Sequence, residues 1–210
     1  MKPADIAMHR QQKNALAHIL ASSRILDRLF YERPTVEVAR DLLGKILIHG
    51  STAGRIVETE AYLGEHDMAA HASHGVTPRT RVLFGPPGHA YVFLIYGMHY
   101  CLNLVAEPDG IPGCVLLRAL EPLAGIDIML RRRPQASSIH DLASGPGKLT
   151  RAMGITRRHN GMDVTQGELT VRALTGDSFF EVATGGRIGI RHCRDWPLRF
   201  FICGNPSVSR

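Results

Sequence analysis

The sequence predicts an α+β fold: a single compact domain with a curved, largely antiparallel sheet flanked by helices, plus a peripheral N-terminal extension. Three observations lead there. A length of 210 residues with 44% hydrophobic content suits one domain with a sizeable core. Strand-like and helix-like runs do not alternate in the regular way a doubly wound sheet requires. No internal repeat or strong composition boundary divides the chain.

Residues 1–25 read as the extension, partly helical, and residues 26–210 as the domain. Val36–Leu43 reads as a short helix after Pro34-Thr35, stopped by Gly44. Lys45–His49 and Arg55–Gly64 read as strands joined by a Gly50-Ser51-Thr52-Ala53-Gly54 turn. Residues 65–89 are rich in His, Gly, Pro, Thr and Arg and form a long loop, a length usually tied to function or disorder. Tyr91–Tyr96 and Tyr100–Val105 flank a break at Gly97 and read as paired strands, and Cys114–Leu120 adds another. Leu123–Arg133 has helical spacing with a basic end that complements the helix dipole. A further helix runs from about Gly145 to Met153, where Gly154 stops it. Leu169–Leu174, Arg187–Ile190 and Leu198–Cys203 supply the late strands.

Composition narrows the function classes. No run is long and apolar enough to span a bilayer, and Gln11, Gln12, Lys13 and Asn14 interrupt any signal-like core near the N-terminus. Cys101, Cys114, Cys193 and Cys203 never form a C-x-x-C pair and read as reduced thiols on buried strands. The expected setting is therefore soluble and intracellular. A net charge of +6 and a pI near 9.5 suit a polyanionic partner. Only Lys2, Lys13, Lys45 and Lys148 are lysines, so arginine carries the charge and few amines are available for Schiff-base chemistry.

The stretch from Val57 to Gly64 holds the chemistry. As a strand it places Val57, Thr59, Ala61 and Leu63 on one face and Glu58, Glu60 and Tyr62 on the other. Two carboxylates beside a phenol make either a solvated surface or a site with an acid or base next to an aromatic platform. Tyr91 and Phe93 share one face of a later strand, where Tyr91 fits ordinary core packing. Tyr96, just before Gly97, stands where an aromatic side chain can project and wedge between stacked bases. His71 is flanked by His66 and His74 without metal-ligand spacing, and reads better as a wall for a planar ligand. Thr77-Pro78-Arg79-Thr80-Arg81 is either a phosphate clamp or a solvated basic loop. Asn103 and Arg118 are polar residues inside apolar strands and need partners if buried.

Together these segments resemble the alkyladenine (methylpurine or 3-methyladenine) DNA glycosylase family. The matching pieces are Arg55–Gly64, Ala70-His71, Thr77-Pro78-Arg79, Tyr96-Gly97-Met98, Asn103, Cys114–Pro122, Ser144-Gly145-Pro146 with Lys148-Leu149, Arg187–Gly189 and Pro197–Phe200. Their order and spacing cover roughly residues 28–208. The resemblance implies a monofunctional glycosylase of base excision repair. It flips alkylated or deaminated purines out of duplex DNA and hydrolyses the N-glycosidic bond, leaving an abasic site.

In that reading Glu60 is the general base for water, and Arg118 positions the water or a nearby phosphate. Tyr62 stacks on one face of the purine and His71 and Phe93 on the other, while Asn103 crowds the amino group of guanine and Ile188 lies near the water. Tyr96, Met98, Arg79, Arg81 and Lys148 are the expected DNA contacts. Two departures stand out: Phe93 replaces the tyrosine of the best-known members, which puts the substrate range in doubt, and His99 replaces a more usual aromatic. No cofactor or metal is expected. The partner is double-stranded DNA with damaged purines, with no membrane and no obligate protein partner, and the protein is expected to act as a monomer. It would reside in the cytoplasm, on the nucleoid of a bacterium, or in a eukaryotic nucleus. The alternatives are a non-catalytic damaged-DNA-binding protein on the same scaffold and a carboxylate glycosidase acting on free nucleosides or sugars.

Overall fold

A computed structural model describes residues 14–176 and 179–209. Its nine strands are β1 (Ser23–Ile25), β2 (Ile46–His49), β3 (Thr52–Tyr62), β4 (Ala90–Ile95), β5 (His99–Val105), β6 (Cys114–Ala124), β7 (Leu169–Leu174), β8 (Val182–Gly185) and β9 (Arg199–Ile202). They form one antiparallel sheet in the order β1-β7-β2-β3-β6-β5-β4, with β9 pairing β3 and β8. The expected α+β architecture is present.

β3 is the spine. One edge pairs with β6 along most of its length, while the other pairs first with β2 and then, from Glu58 to Glu60, with β9. Enclosed between neighbours, β3 is buried on both faces, which is why its acids are withdrawn from water. The β2–β3 turn is tighter than the sequence suggests. Only Gly50 and Ser51 lie between the strands, and Thr52, Ala53 and Gly54 join the ladder.

Helices α1 (Arg28–Tyr31), α2 (Thr35–Asp41), α3 (Ile126–Arg132) and α4 (Pro146–Met153) cover the sheet. Val38 and Ala39 of α2 and Leu149, Ala152 and Met153 of α4 pack with Ile56, Val57, Ala61, Leu102 and Leu117 in the main core. The 14–21 segment is helical, and its Ile19 packs on Ile46, Ile48, Ala53 and Ala124. Residues 1–13 of the expected extension lie outside the described residues.

The 65–89 loop contains three short 3₁₀ turns, and Ala72 and Leu83 pack with Tyr91, Val105 and Cys114 against the β4–β5–β6 end of the sheet. This loop roofs the region where the polar strand residues gather.

Two expectations are corrected. Arg187–Ile190 is not a strand: Gly189 takes φ 78°, outside the extended region, and the strand that pairs with β9 is Val182–Gly185. Of the four cysteines only Cys101 and Cys114 are buried on strands; Cys193 is half-buried outside them at φ 53°, and Cys203 is exposed just past β9. No helix among the described residues is long and apolar enough to cross a membrane.

Candidate active site

Strand alternation sends Thr59 toward α2, where its hydroxyl donates to the Ala39 carbonyl at 2.8 Å. Glu58, Glu60 and Tyr62 therefore share the opposite face. Arg118 reaches them through a bulge. Glu58 pairs with Ala119 and Thr59 with Leu117, so Arg118 is the extra residue in β6. Its Nε donates to Glu58 at 3.0 Å and its Nη1 lies 3.2 Å from Glu60. Both carboxylates are 0% exposed, which closes the surface alternative.

Glu60 is held from three sides. Oε1 accepts the Ile188 N–H at 2.7 Å and faces Arg118, while Oε2 accepts the Tyr62 hydroxyl at 3.0 Å and keeps further acceptor capacity. Burial pushes the Glu60 carboxyl up. Arg118, the Ile188 N–H and the Tyr62 hydroxyl pull it down, Glu58 adds to the rise, and the net position lies above the ordinary carboxylate range.

A cavity of about 480 Å³ opens over Tyr62, Arg118 and Ile188 and is walled by His71, Phe93 and Asn103. Glu60 lies just beneath this floor, bonded to three residues that line it. With Arg79 and Tyr96, eight of the sequence-selected residues thus line one cavity with Glu60 directly below it. His71 and Phe93 meet edge to face with ring centroids 4.5 Å apart. Burial, with Arg79 and His74 adding to it, pushes His71 down to about 4, so the ring is neutral near pH 7. Asn103 Nδ2 donates to the Tyr91 carbonyl at 3.2 Å, which fixes the amide at the wall. Burial pushes the Cys101 thiol up to about 11 and that of Cys114 up to about 12, so neither cavity cysteine is a thiolate nucleophile. No lysine lines the cavity among the described residues.

At the hairpin tip Tyr96 is 78% and Met98 70% exposed. Tyr96 takes φ 52° and Gly97 φ 69°, and the Met98 N–H donates to the Ile95 carbonyl at 3.2 Å, closing a tight turn. A left-handed conformation suits Gly97 but costs a tyrosine about 1–2 kcal/mol. Arg79 lines the cavity with its guanidinium 5.1 Å from the Phe93 ring centroid. Arg81 is exposed at the start of a 3₁₀ turn and lies outside the lining. Lys148 also stands apart, its Nζ 2.5 Å from Asp141 and 3.2 Å from Ser144.

Sequence reasoning missed the roles of five residues. Arg187 and Asp67 form a fully buried bidentate pair, with Arg187 Nη2 at 2.8 Å from Asp67 Oδ1 and Nη1 on Oδ2. The guanidinium carbon also lies 4.6 Å from the Tyr62 ring centroid, and Nη1 donates to the Ala61 carbonyl at 3.0 Å. Tyr91 is core-packed as expected, yet its hydroxyl also lies 2.9 Å from His71 Nδ1. Ser209 and Arg199 converge on Glu58. The Arg187–Gly189 and Pro197–Phe200 motifs were local signals for Arg187 and Arg199, while Asp67 and Ser209 had none.

Donor atoms of His49, His159 and Glu168 lie within 4.8 Å of one another, away from the cavity. His49 Nδ1 donates to the Met153 carbonyl at 2.7 Å and His159 Nδ1 accepts the Thr156 N–H at 2.9 Å. Both His159 ring nitrogens already have partners within the protein, with Nε2 lying 3.3 Å from Arg158 Nε, which suits a hydrogen-bonded cluster better than a metal ligand set.

Residues 29–206 match the family model described as Methylpurine-DNA glycosylase (MPG). A protein of Methanocella arvoryzae is 54% identical over 194 residues, covering 89% of this chain and 96% of its own. One from Alkaliphilus oremlandii is 46% identical over 200 residues, covering 88% and 98%. One from Koribacter versatilis is 47% identical over 198 residues, covering 90% and 95%. All three are provisionally named 3-methyladenine DNA glycosylases. The chain belongs to the methylpurine-DNA glycosylase family.

Proposed function

We propose that the protein is a monofunctional DNA glycosylase that releases alkylated or deaminated purines from duplex DNA by Glu60-assisted attack of water on the anomeric carbon. The observation that carries this reading is Glu60 itself. It is a carboxylate held above its ordinary range beneath an aromatic cavity, with an acceptor position left on Oε2. A carboxylate made more basic by burial can take a proton from water as the glycosidic bond opens, and Arg118 fixes the carboxylate's aim.

A purine inside a duplex hides the bond to be cut, so extrusion costs a few kcal/mol, least for damaged or mispaired bases. Tyr96, held exposed in a strained turn, is shaped to fill the gap left behind. Tyr62 offers one ring face to the base, since Arg187, neutralised by Asp67, stacks against its ring. His71 and Phe93 supply the facing wall, and Asn103 the edge contact. Arg79, Arg81, Met98 and Lys148 serve the DNA flanks, with Lys148 leaving Asp141 to do so. The protonated thiols, and a lining without lysine among the described residues, favour water over a covalent protein nucleophile.

The test is a panel of duplex oligonucleotides, each carrying one lesion: 3-methyladenine, 7-methylguanine, hypoxanthine or ethenoadenine. Free base should appear for at least one lesion, with strand breakage only after alkali and no adduct on borohydride treatment. Absence of release from every lesion, or a trapped protein–DNA adduct, overturns the proposal.

A further inference from the structure

Glu58 is a buried carboxylate for which the proposed reaction has no use. It accepts from Arg118 Nε at 3.0 Å, Arg199 Nε at 2.6 Å, the Ser209 N–H at 2.7 Å and the Ser209 hydroxyl at 2.8 Å. Ser209 Oγ accepts in turn from Arg118 Nη2 at 3.2 Å, so the hydroxyl sits between the carboxylate and the guanidinium. Arg118 is thereby divided between two acids, Nε on Glu58 and Nη1 at 3.2 Å from Glu60. A buried carboxylate short of donors draws the nearest cation harder, and here that cation also holds Glu60.

We propose that Ser209 and Glu58 are a positioning pair for base release: Ser209 satisfies Glu58, so that Arg118 stays shared and keeps Glu60 aimed at the water. Neither residue touches the reacting atoms. The inference rests on the reading of Glu60 as the base. Facing Glu60 are Glu58 and Tyr62 from β3, Arg118 from β6, Cys101 from β5 and Arg187 from the segment after β8. Arg199 from β9 reaches only Glu58 among these acids. The pair thus acts on Glu60 in two opposed ways, through the charge of Glu58 and through its hold on Arg118.

The experiment compares wild type, Ser209→Ala and Glu58→Gln in single-turnover base release across pH and in binding to lesion duplex, with thermal melts to confirm folding. Ser209→Ala lets Glu58 pull Arg118 from Glu60, so the acid limb of the rate profile moves up by about half a pH unit and the rate on that limb falls about 3-fold. Glu58→Gln removes the neighbouring charge and leaves Arg118 to Glu60, so its limb moves to lower pH. DNA affinity stays within about twofold for both, since neither side chain faces the duplex. A Ser209→Ala limb that coincides with wild type overturns the pair, and so do two limbs displaced in the same direction. If Glu58→Gln does not fold, Ser209→Ala alone decides. A wild type that releases no lesion base overturns the underlying reading and the pair with it, whereas release with unmoved limbs overturns only the pair.

Discussion

Asp67→Asn is the perturbation with the largest calculable effect. The Asp67 carboxylate is fully enclosed, takes Arg187 in two hydrogen bonds, and accepts the Leu63 N–H at 3.2 Å and the Ala69 N–H at 3.0 Å. Asparagine has nearly the same shape but leaves the Arg187 charge buried without its counter-ion. Breaking one side of such a pair costs about 3–5 kcal/mol. At about 2–4 °C per kcal/mol for a domain of this size, the melting temperature at pH 7 should fall by about 6–20 °C. Burial pushes the Asp67 carboxyl up, but the Arg187 hydrogen bonds and charge outweigh it and hold it below the ordinary range. The stabilisation is therefore in place above about pH 4, the ordinary carboxylate value, and is lost as pH falls through the lower folded value. Thermal melts of both proteins should converge on acidification. A loss under about 2 °C at pH 7, or a gap that widens as pH falls, refutes the assignment of Asp67 as the counter-ion that keeps Arg187 under Tyr62.

Tyr96→Gly should raise stability slightly, by less than about 1 kcal/mol, because relief of the φ 52° strain is partly offset by glycine's unfolded-state freedom. Binding to lesion duplex, read by fluorescence anisotropy, should weaken at least about tenfold, since the wedge that offsets unstacking is gone; undiminished binding counts against the wedge. Because His71 titrates near 4 when folded and 6.5 when not, the unfolded state takes the proton first and stability falls as pH drops across that window. His71→Asn should flatten that part of the melting-temperature profile, and an unaltered profile would show that His71 is not buried neutral. Phe93→Tyr adds a hydroxyl near His71 and Arg79, whose contacts to the ring are 4.5 and 5.1 Å. It should alter the ratio of release rates across the lesion panel, and a constant ratio would mean the position does not set preference.

The elements legible in the sequence were those encoded locally. Alternation from Val57 to Tyr62 gave the faces of β3 correctly, Gly97 marked the hairpin, and Gly44 and Gly154 marked helix ends. Alternation could not say whether the Glu58 face meets water, because that depends on β9 closing one edge and β6 the other. Pairings distant in the chain left little trace: Arg187 and Asp67 are 120 residues apart, and Ser209 and Glu58 are 151 apart. Ile188 and Ile190 resembled a strand by apolar content, but the left-handed Gly189 between them breaks the ladder geometry and leaves the Ile188 N–H to donate to Glu60. The resemblance identified Glu60, Tyr62, His71 and Asn103 as a group, and the fold brings the last three to one cavity with Glu60 bonded to Tyr62 beneath it.

The most direct test of the central claim is single-turnover base release by Glu60→Gln beside wild type, with binding to the same lesion duplex measured in parallel. Glutamine keeps the shape and can still accept hydrogen bonds, but it cannot take a proton from water at neutral pH. Release should fall by about 10²- to 10⁴-fold while affinity stays within about threefold. Release by Glu60→Gln at the wild-type rate would contradict the account, because the bond would then be broken without the carboxylate beneath the cavity.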